Sequence, residues 1–186
     1  MHDLVVVVDS LSKRYSVCGI RLGSLITRNE AIHAACMKMA QGRLSPPGLA
    51  QFVATGAATL GDEYFGPIVD EYQRRRDVLY EGLRSIPGVT LEKPEGAFYC
   101  VAGLPVDDAD RFAEWLLSGF AHQIETVMVA PASGFYGSAL GRSEVRIAYV
   151  LNEDDLRRAI EVLRNALAQY PGRQDPARSP ASLHHL

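Results

Sequence analysis

The chain opens on an uninterrupted apolar run, Leu4-Val5-Val6-Val7-Val8. A run without polar alternation predicts a strand covered on both faces, the kind found in parallel α/β sheets. Such a strand needs strand neighbours and covering helices, so the pattern points to a preceding segment that this sequence does not contain. The run gives way to Asp9-Ser10-Leu11-Ser12-Lys13, read as a polar turn at the strand's carboxyl end. Ile20 to Thr27 alternates and contains glycine, and is a second strand. Asn29-Glu30 starts a helix with apolar positions at Ile32, Cys36 and Met39. Arg43 to Gly48, which holds Pro46-Pro47, breaks the chain before a small-residue helix from Leu49 to Leu60.

Pro67, taken as a helix's first position, opens a longer helix. Its apolar residues Ile68, Tyr72, Leu79, Leu83 and Ile86 repeat at intervals of three, four and seven. Pro87-Gly88 marks a boundary, beyond which short strands are expected at Val89–Leu91, Ala97–Val101, Thr126–Ala130 and Glu144–Tyr149. A helix from Ala109 to Phe120 lies among them. A last helix has Asn152 as its N-cap and Glu153, Asp154 and Asp155 in its first turn, where the dipole favours negative charge. Leu156, Ile160, Leu163, Leu167 and Tyr170 form its apolar stripe. Residues 87–170 therefore form an α+β unit able to fold by itself. The first 60 or so residues are expected to need a partner, or else to be loosely ordered and prone to aggregate. From Pro171 the composition turns to Pro, Arg, Ser and Ala, which predicts a disordered tail.

Composition narrows the function classes only slightly. A chain of 186 residues suffices for one sizeable or two small domains. The net charge of −3 gives no reason to expect nucleic-acid or membrane-surface binding. Three scattered cysteines, Cys18, Cys36 and Cys100, suggest neither a disulfide framework nor a metal knuckle, so no metal site is expected. No apolar run approaches the ~20 residues of a membrane span. Met1-His2-Asp3 lacks the regions of a signal peptide, and a cytoplasmic protein is expected. The Arg74-Arg75-Arg76 run reads as a solvated helix face.

The chemistry concentrates around Lys13. A lysine at the end of a buried strand is partly desolvated, which favours its neutral amine and readies it to attack a carbonyl. Ser10 offers a hydroxyl, and Arg21 a planar fork of donors matched to phosphate oxygens. A rival reading takes Ser10-x-x-Lys13 as the S-x-x-K of serine acyl-enzymes. That motif opens a helix and has S-D-N and K-T-G partners. Neither tripeptide occurs here, and Ser10 follows a strand.

The stretch VVVVDSLSKRYSVCGIRLG, from Val5 to Gly23, resembles the S-x-S-K-x(7)-R-x-G signature of class I and II aminotransferases, the aspartate aminotransferase family. Pro94-Glu95-Gly96-Ala97-Phe98-Tyr99 is similar to the P-x-G-x-F-Y element of that family's small domain. Val129 to Phe135, followed by Glu144-Val145-Arg146-Ile147-Ala148-Tyr149, resembles its closing pattern. The three motifs occur in the family's order, and the resemblance runs from Val5 to Tyr170.

The resemblance implies an α/β fold. Residues 1–66 would be the end of the large-domain mixed sheet of a fold-type I pyridoxal-phosphate enzyme, 67–86 a connecting helix, 87–172 an α+β small C-terminal domain, and 173–186 a disordered tail. It implies pyridoxal 5'-phosphate as cofactor, with Lys13 as the catalytic Schiff-base lysine and Ser10, Ser12 and Arg21 as further cofactor ligands. Arg146 would clamp the substrate α-carboxylate, and Arg43 is a weaker candidate for a distal carboxylate. The partners implied are an aspartate-like amino acid, a 2-oxo acid and a second copy of the full-length protein. The helix from Leu49 to Leu60 is a candidate for that homodimer interface. Family members build the rest of the site from residues ahead of the lysine strand. The chain is therefore expected to represent the C-terminal half only and, alone, to show no measurable transaminase activity. Two alternatives share these residues: another fold-type I enzyme such as a C–S lyase or decarboxylase, and a non-catalytic effector-binding module or fragment.

Overall fold

The computed structural model describes residues 2–138 and 140–174, and the chain divides into two compact units, Met1–Phe65 and Gly66–Leu186.

The first unit is built on a strand pair. β1 (Val6–Ser10) runs antiparallel to β2 (Gly23–Thr27), with Val6 opposite Thr27 and Ser10 opposite Gly23. Their connection carries α1 (Leu11–Arg14) and a 3-10 turn over Cys18–Ile20. α2 (Glu30–Gly42) follows, capped by Asn29, whose side chain accepts from the backbone N–H of Ile32 at 3.0 Å. α3 spans Gly48–Ala57. α4 (Asp62–Arg84) begins in this unit and runs on into the next.

Three expectations change here. The apolar strand is real, but every residue of β1 is exposed and its partner is antiparallel. Its continuous valines stay uncovered because the sheet has two strands only among the described residues. Among the described residues of the unit, Ala50 is the one that is buried. Secondly, Ser10 both ends the strand and caps a helical turn, with its hydroxyl oxygen accepting from the N–H of Ser12 at 3.2 Å. The strand context therefore does not exclude the S-x-x-K reading, and the missing partner tripeptides do that work alone. Thirdly, α4 starts at Asp62, so Pro67 lies inside the helix. Asp62 and Glu63 supply negative charge at its first turn. The Glu63 carboxylate accepts from the N–H of Gly61 at 3.0 Å, a contact that holds its pKa below the usual value. The price of an interior proline is one backbone bond, which falls within the helix's first two turns.

The second unit holds the core. Its sheet has the order β3-β4-β6-β5 and every pairing is antiparallel: β3 (Thr90–Leu91), β4 (Tyr99–Gly103), β5 (Ala130–Pro131) and β6 (Glu144–Ala148). Cys100, Ala102 and Val145 point from the sheet into a core shared with Leu79 and Leu83 of α4. Phe112 and Leu116 of α5 (Ala109–Ser118), and Leu156, Leu163 and Leu167 of α6 (Glu153–Gln169), complete it. Alternation along β4 leaves Tyr99 and Val101 on the opposite, open face.

The strand expected at Thr126–Ala130 shrinks to Ala130–Pro131. The Thr126 hydroxyl donates instead to the carbonyl of Leu116 at 2.7 Å, one of the acceptors left over at the end of α5. The Arg74–Arg76 run is not simply solvated. Arg75 donates to Glu71 and to the carbonyl of Val150, both at 2.7 Å, and Arg76 donates to Asp77 and the carbonyl of Pro94. The tail, expected to be disordered from Pro171, is still anchored there. The N–H of Asp107 donates to the carbonyl of Gly172 at 2.9 Å, and that of Gln174 to Pro105 at 2.8 Å. The remainder of the expected tail, 175–186, lies outside the described residues.

Candidate active site

In the first unit the segment between β1 and β2 gathers four of the candidate residues. Ser10 closes it from the β1 side, and its hydroxyl reaches the carbonyl of Leu22 at 3.5 Å. Ser12 is half-buried and serves through its backbone. Its carbonyl accepts from the N–H of Val17 at 3.0 Å and from the Cys18 thiol at 3.3 Å, which folds the segment back on itself. Lys13 is exposed on α1, with its Nζ 3.7 Å from the Cys18 Sγ. The burial that the apolar run predicted around this lysine is absent, because its strand is uncovered.

Arg21 follows the 3-10 turn in the left-handed conformation, at φ 55°. A non-glycine residue there costs on the order of 1–2 kcal/mol, a strain that concentrates at ligand-binding sites. Its guanidinium donates to the carbonyl of Cys18 at 3.1 Å, which leaves other N–H groups of the fork for a ligand. Behind the segment, Asp9 and Arg14 form an ion pair at 2.8 Å. Tyr15 packs on Tyr64 and Phe65, with ring centroids 6.1 and 5.6 Å away. The Lys13 amine, the Ser10 hydroxyl and the Arg21 guanidinium thus share a loop closed by the Ser10–Gly23 pair. That donor set suits a ligand carrying an aldehyde and a phosphate. Arg43 stands apart in sequence as the exposed C-cap of α2.

In the second unit Arg146 lies on the open face of β6, opposite Val101 of β4 and Ala130 of β5. Its guanidinium carbon is 4.6 Å from the Phe135 ring centroid and 5.2 Å from that of Tyr99. Among the described residues no carboxylate is ion-paired with it. Glu144, two positions along the same face, is engaged elsewhere: its carboxylate accepts from the Tyr136 hydroxyl at 2.8 Å. That bond pushes the phenol's pKa up. Among the described residues Arg146 is therefore not an ordinary salt-bridged strand arginine.

The family model for aminotransferase class I and II matches residues 1–163. The chain belongs to this family. Its members use pyridoxal phosphate. Over 177 residues it is 28% identical to the aspartate aminotransferase of Bacillus subtilis, a match covering 91% of this chain and 43% of that protein. It is 32% identical over 162 residues to the LL-diaminopimelate aminotransferase of Moorella thermoacetica, covering 87% of this chain and 40% of the relative. The alanine aminotransferase of Pyrococcus furiosus superposes with a TM-score of 0.76 at 28% identity, over 87% of this chain and 41% of that structure. The chain thus spans well under half the length of these relatives. Its architecture, read from the sequence as α/β of fold type I, agrees with these neighbours. Sequence reasoning missed Tyr99 and Phe135 as neighbours of Arg146. Both sit in the quoted motifs, but only the strand register and the 3-10 turn over Ser133–Phe135 bring them to the guanidinium.

Proposed function

We propose that this chain supplies the lysine, the phosphate anchor and the carboxylate clamp of an enzyme that moves amino groups between an aspartate-like amino acid and a 2-oxo acid. The observation that carries the reading is the convergence of Lys13, Ser10 and Arg21 on one segment closed by β1 and β2. Pyridoxal phosphate, when bound, supplies an electron sink for the bond broken at the substrate Cα. Ser10 and Arg21 would hold its phosphate, with Ser12 fixing the backbone between them. The Lys13 amine would carry the cofactor and then, freed by substrate, move the proton to and from the substrate Cα. Arg146, with no acidic partner among the described residues, would take the α-carboxylate through two parallel N–H···O bonds and fix the Cα–H direction. Arg43 would read a distal carboxylate.

The aspartate-like preference is supported by the names of several relatives. A homodimer is what the family resemblance implies, and a cytoplasmic location is carried over as an expectation of the sequence. The exposed residues Leu49, Phe52 and Val53 of α3 are offered for that interface. No helix among the described residues is long and apolar enough to cross a membrane. With matched relatives more than twice as long, the 186-residue chain alone is expected to show no measurable half-transamination.

The test uses the small lysine count: Lys13, Lys38 and Lys93 are all that the sequence holds. Incubation with pyridoxal phosphate, borohydride reduction and peptide mass spectrometry should place the label on Lys13, and Arg21→Ala should reduce it severalfold. Equal labelling of the three lysines, or no effect of Arg21→Ala, would sink the assignment.

A further inference from the structure

We infer that Phe135 and Tyr99 are positioning residues for Arg146, holding its guanidinium so that the N–H edge and not the flat face meets a carboxylate. The inference rests on the reading of Arg146 as the carboxylate ligand and goes beyond it by naming what aims that ligand.

The β6 backbone does not need these rings. Arg146 is fixed in register on both sides, against Val101 and Ala130. The side chain is a different matter, because an exposed arginine has many rotamers and loses much of that freedom on being ordered. No acidic group among the described residues orders it, since the face-mate Glu144 is bonded to Tyr136. The two rings remain. Tyr99 pairs with Ala148 and is thus the diagonal cross-strand neighbour of Arg146, a position from which an aromatic can reach the guanidinium at 5.2 Å. Phe135 approaches at 4.6 Å from the 3-10 turn over Ser133–Phe135. Aromatic faces attract the guanidinium plane and cannot compete for its in-plane donors. The arrangement restricts the head group while its hydrogen-bonding edge stays open. An acidic partner would restrict it equally but would occupy that edge.

The experiment is done by NMR on the 186-residue chain, with succinate as the carboxylate probe and affinity read from the backbone amides of residues 144–148. Wild-type protein should bind succinate saturably, and its Arg146 Nε–H signal should lie upfield through ring currents. Phe135→Ala and Tyr99→Ala should return that signal toward the ordinary arginine position and weaken succinate binding about fivefold. Phe135→Tyr and Tyr99→Phe should retain both properties. If Arg146→Lys binds like wild type, or wild type does not bind, the reading of Arg146 itself fails. If Arg146→Lys loses binding while both alanine variants keep it, the positioning role alone is overturned. Loss of binding in the conservative variants too would likewise overturn it, as a purely structural requirement.

Discussion

Tyr149 and Ala97, 52 positions apart in sequence, are joined by a hydrogen bond of 3.2 Å from the phenol to the carbonyl oxygen. The same hydroxyl reaches the carbonyl of Gly96, also at 3.2 Å, and the N–H of Tyr149 donates to Phe98 at 2.9 Å. Tyr149 is almost fully buried, and Ala97 is held at φ 60°. The latch thus steadies a strained turn directly ahead of Tyr99. Tyr149→Phe removes the hydroxyl while keeping the ring, and should cost about 1–2 kcal/mol, seen as a lower urea midpoint with unchanged m-value. An unaltered midpoint would show that the turn holds itself.

Alkaline stability should reflect Tyr170. Burial, and then the bond its hydroxyl donates to Asp107 at 3.0 Å, push its pKa up to about 12 in the folded protein. The unfolded chain loses this proton nearer pH 10, so below that pH the group's contribution is fully present. As pH rises from there toward about 12 the unfolded state binds fewer protons and stability falls. Tyr170→Phe should flatten this limb of a stability profile measured between pH 9 and 12. An equally steep limb in the variant would assign the loss to other groups.

The three thiols should separate by reactivity. Cys100 is buried in the core and burial pushes its thiol up to about 11, whereas Cys18 is exposed and Cys36 intermediate. At pH 8 a thiol with that pKa is thiolate at roughly one part in a thousand, and the thiolate is the reactive form. Native protein treated with a thiol-specific disulfide reagent should modify Cys18 first and Cys100 only on unfolding. Early modification of Cys100 would mean that the β4 face opens.

The cap of α6 offers a local check on the second unit. Asn152 accepts from the N–H of Asp155 at 2.9 Å, so Asn152→Ala should lower stability by about 1 kcal/mol, and Asn152→Asp by much less. Equal losses in thermal unfolding would assign the effect to the Nδ2 contact with the Asp155 carboxylate instead.

Periodicity read the second unit well because its elements bury a face against one core, and burial is what spaces apolar residues. Leu156, Ile160, Leu163 and Leu167 were legible for that reason. The same logic read Val6–Val8 as a strand in need of cover, and the strand pair supplies none, although its partner is antiparallel and not parallel. It also missed α1, since a single capped turn is too short to show a period. Thr126 escaped because a side-chain bond to a helix carbonyl leaves no trace in the hydrophobic pattern. Of the candidate site, the motifs nominate the residues, while the pairing of Arg146 with aromatic rings required the register of β4 and β6.

Gly23 faces Ser10 across the strand pair, and a Cβ built on it would lie 2.6 Å from the backbone oxygen of Asp9. A methyl group there would have to displace the end of β1, and with it the cap on which the turn bearing Lys13 is wound. The final glycine of the lysine motif therefore acts as a gauge block: the missing side chain sets the spacing from which the aim of the reactive amine is measured, although no atom of Gly23 touches it.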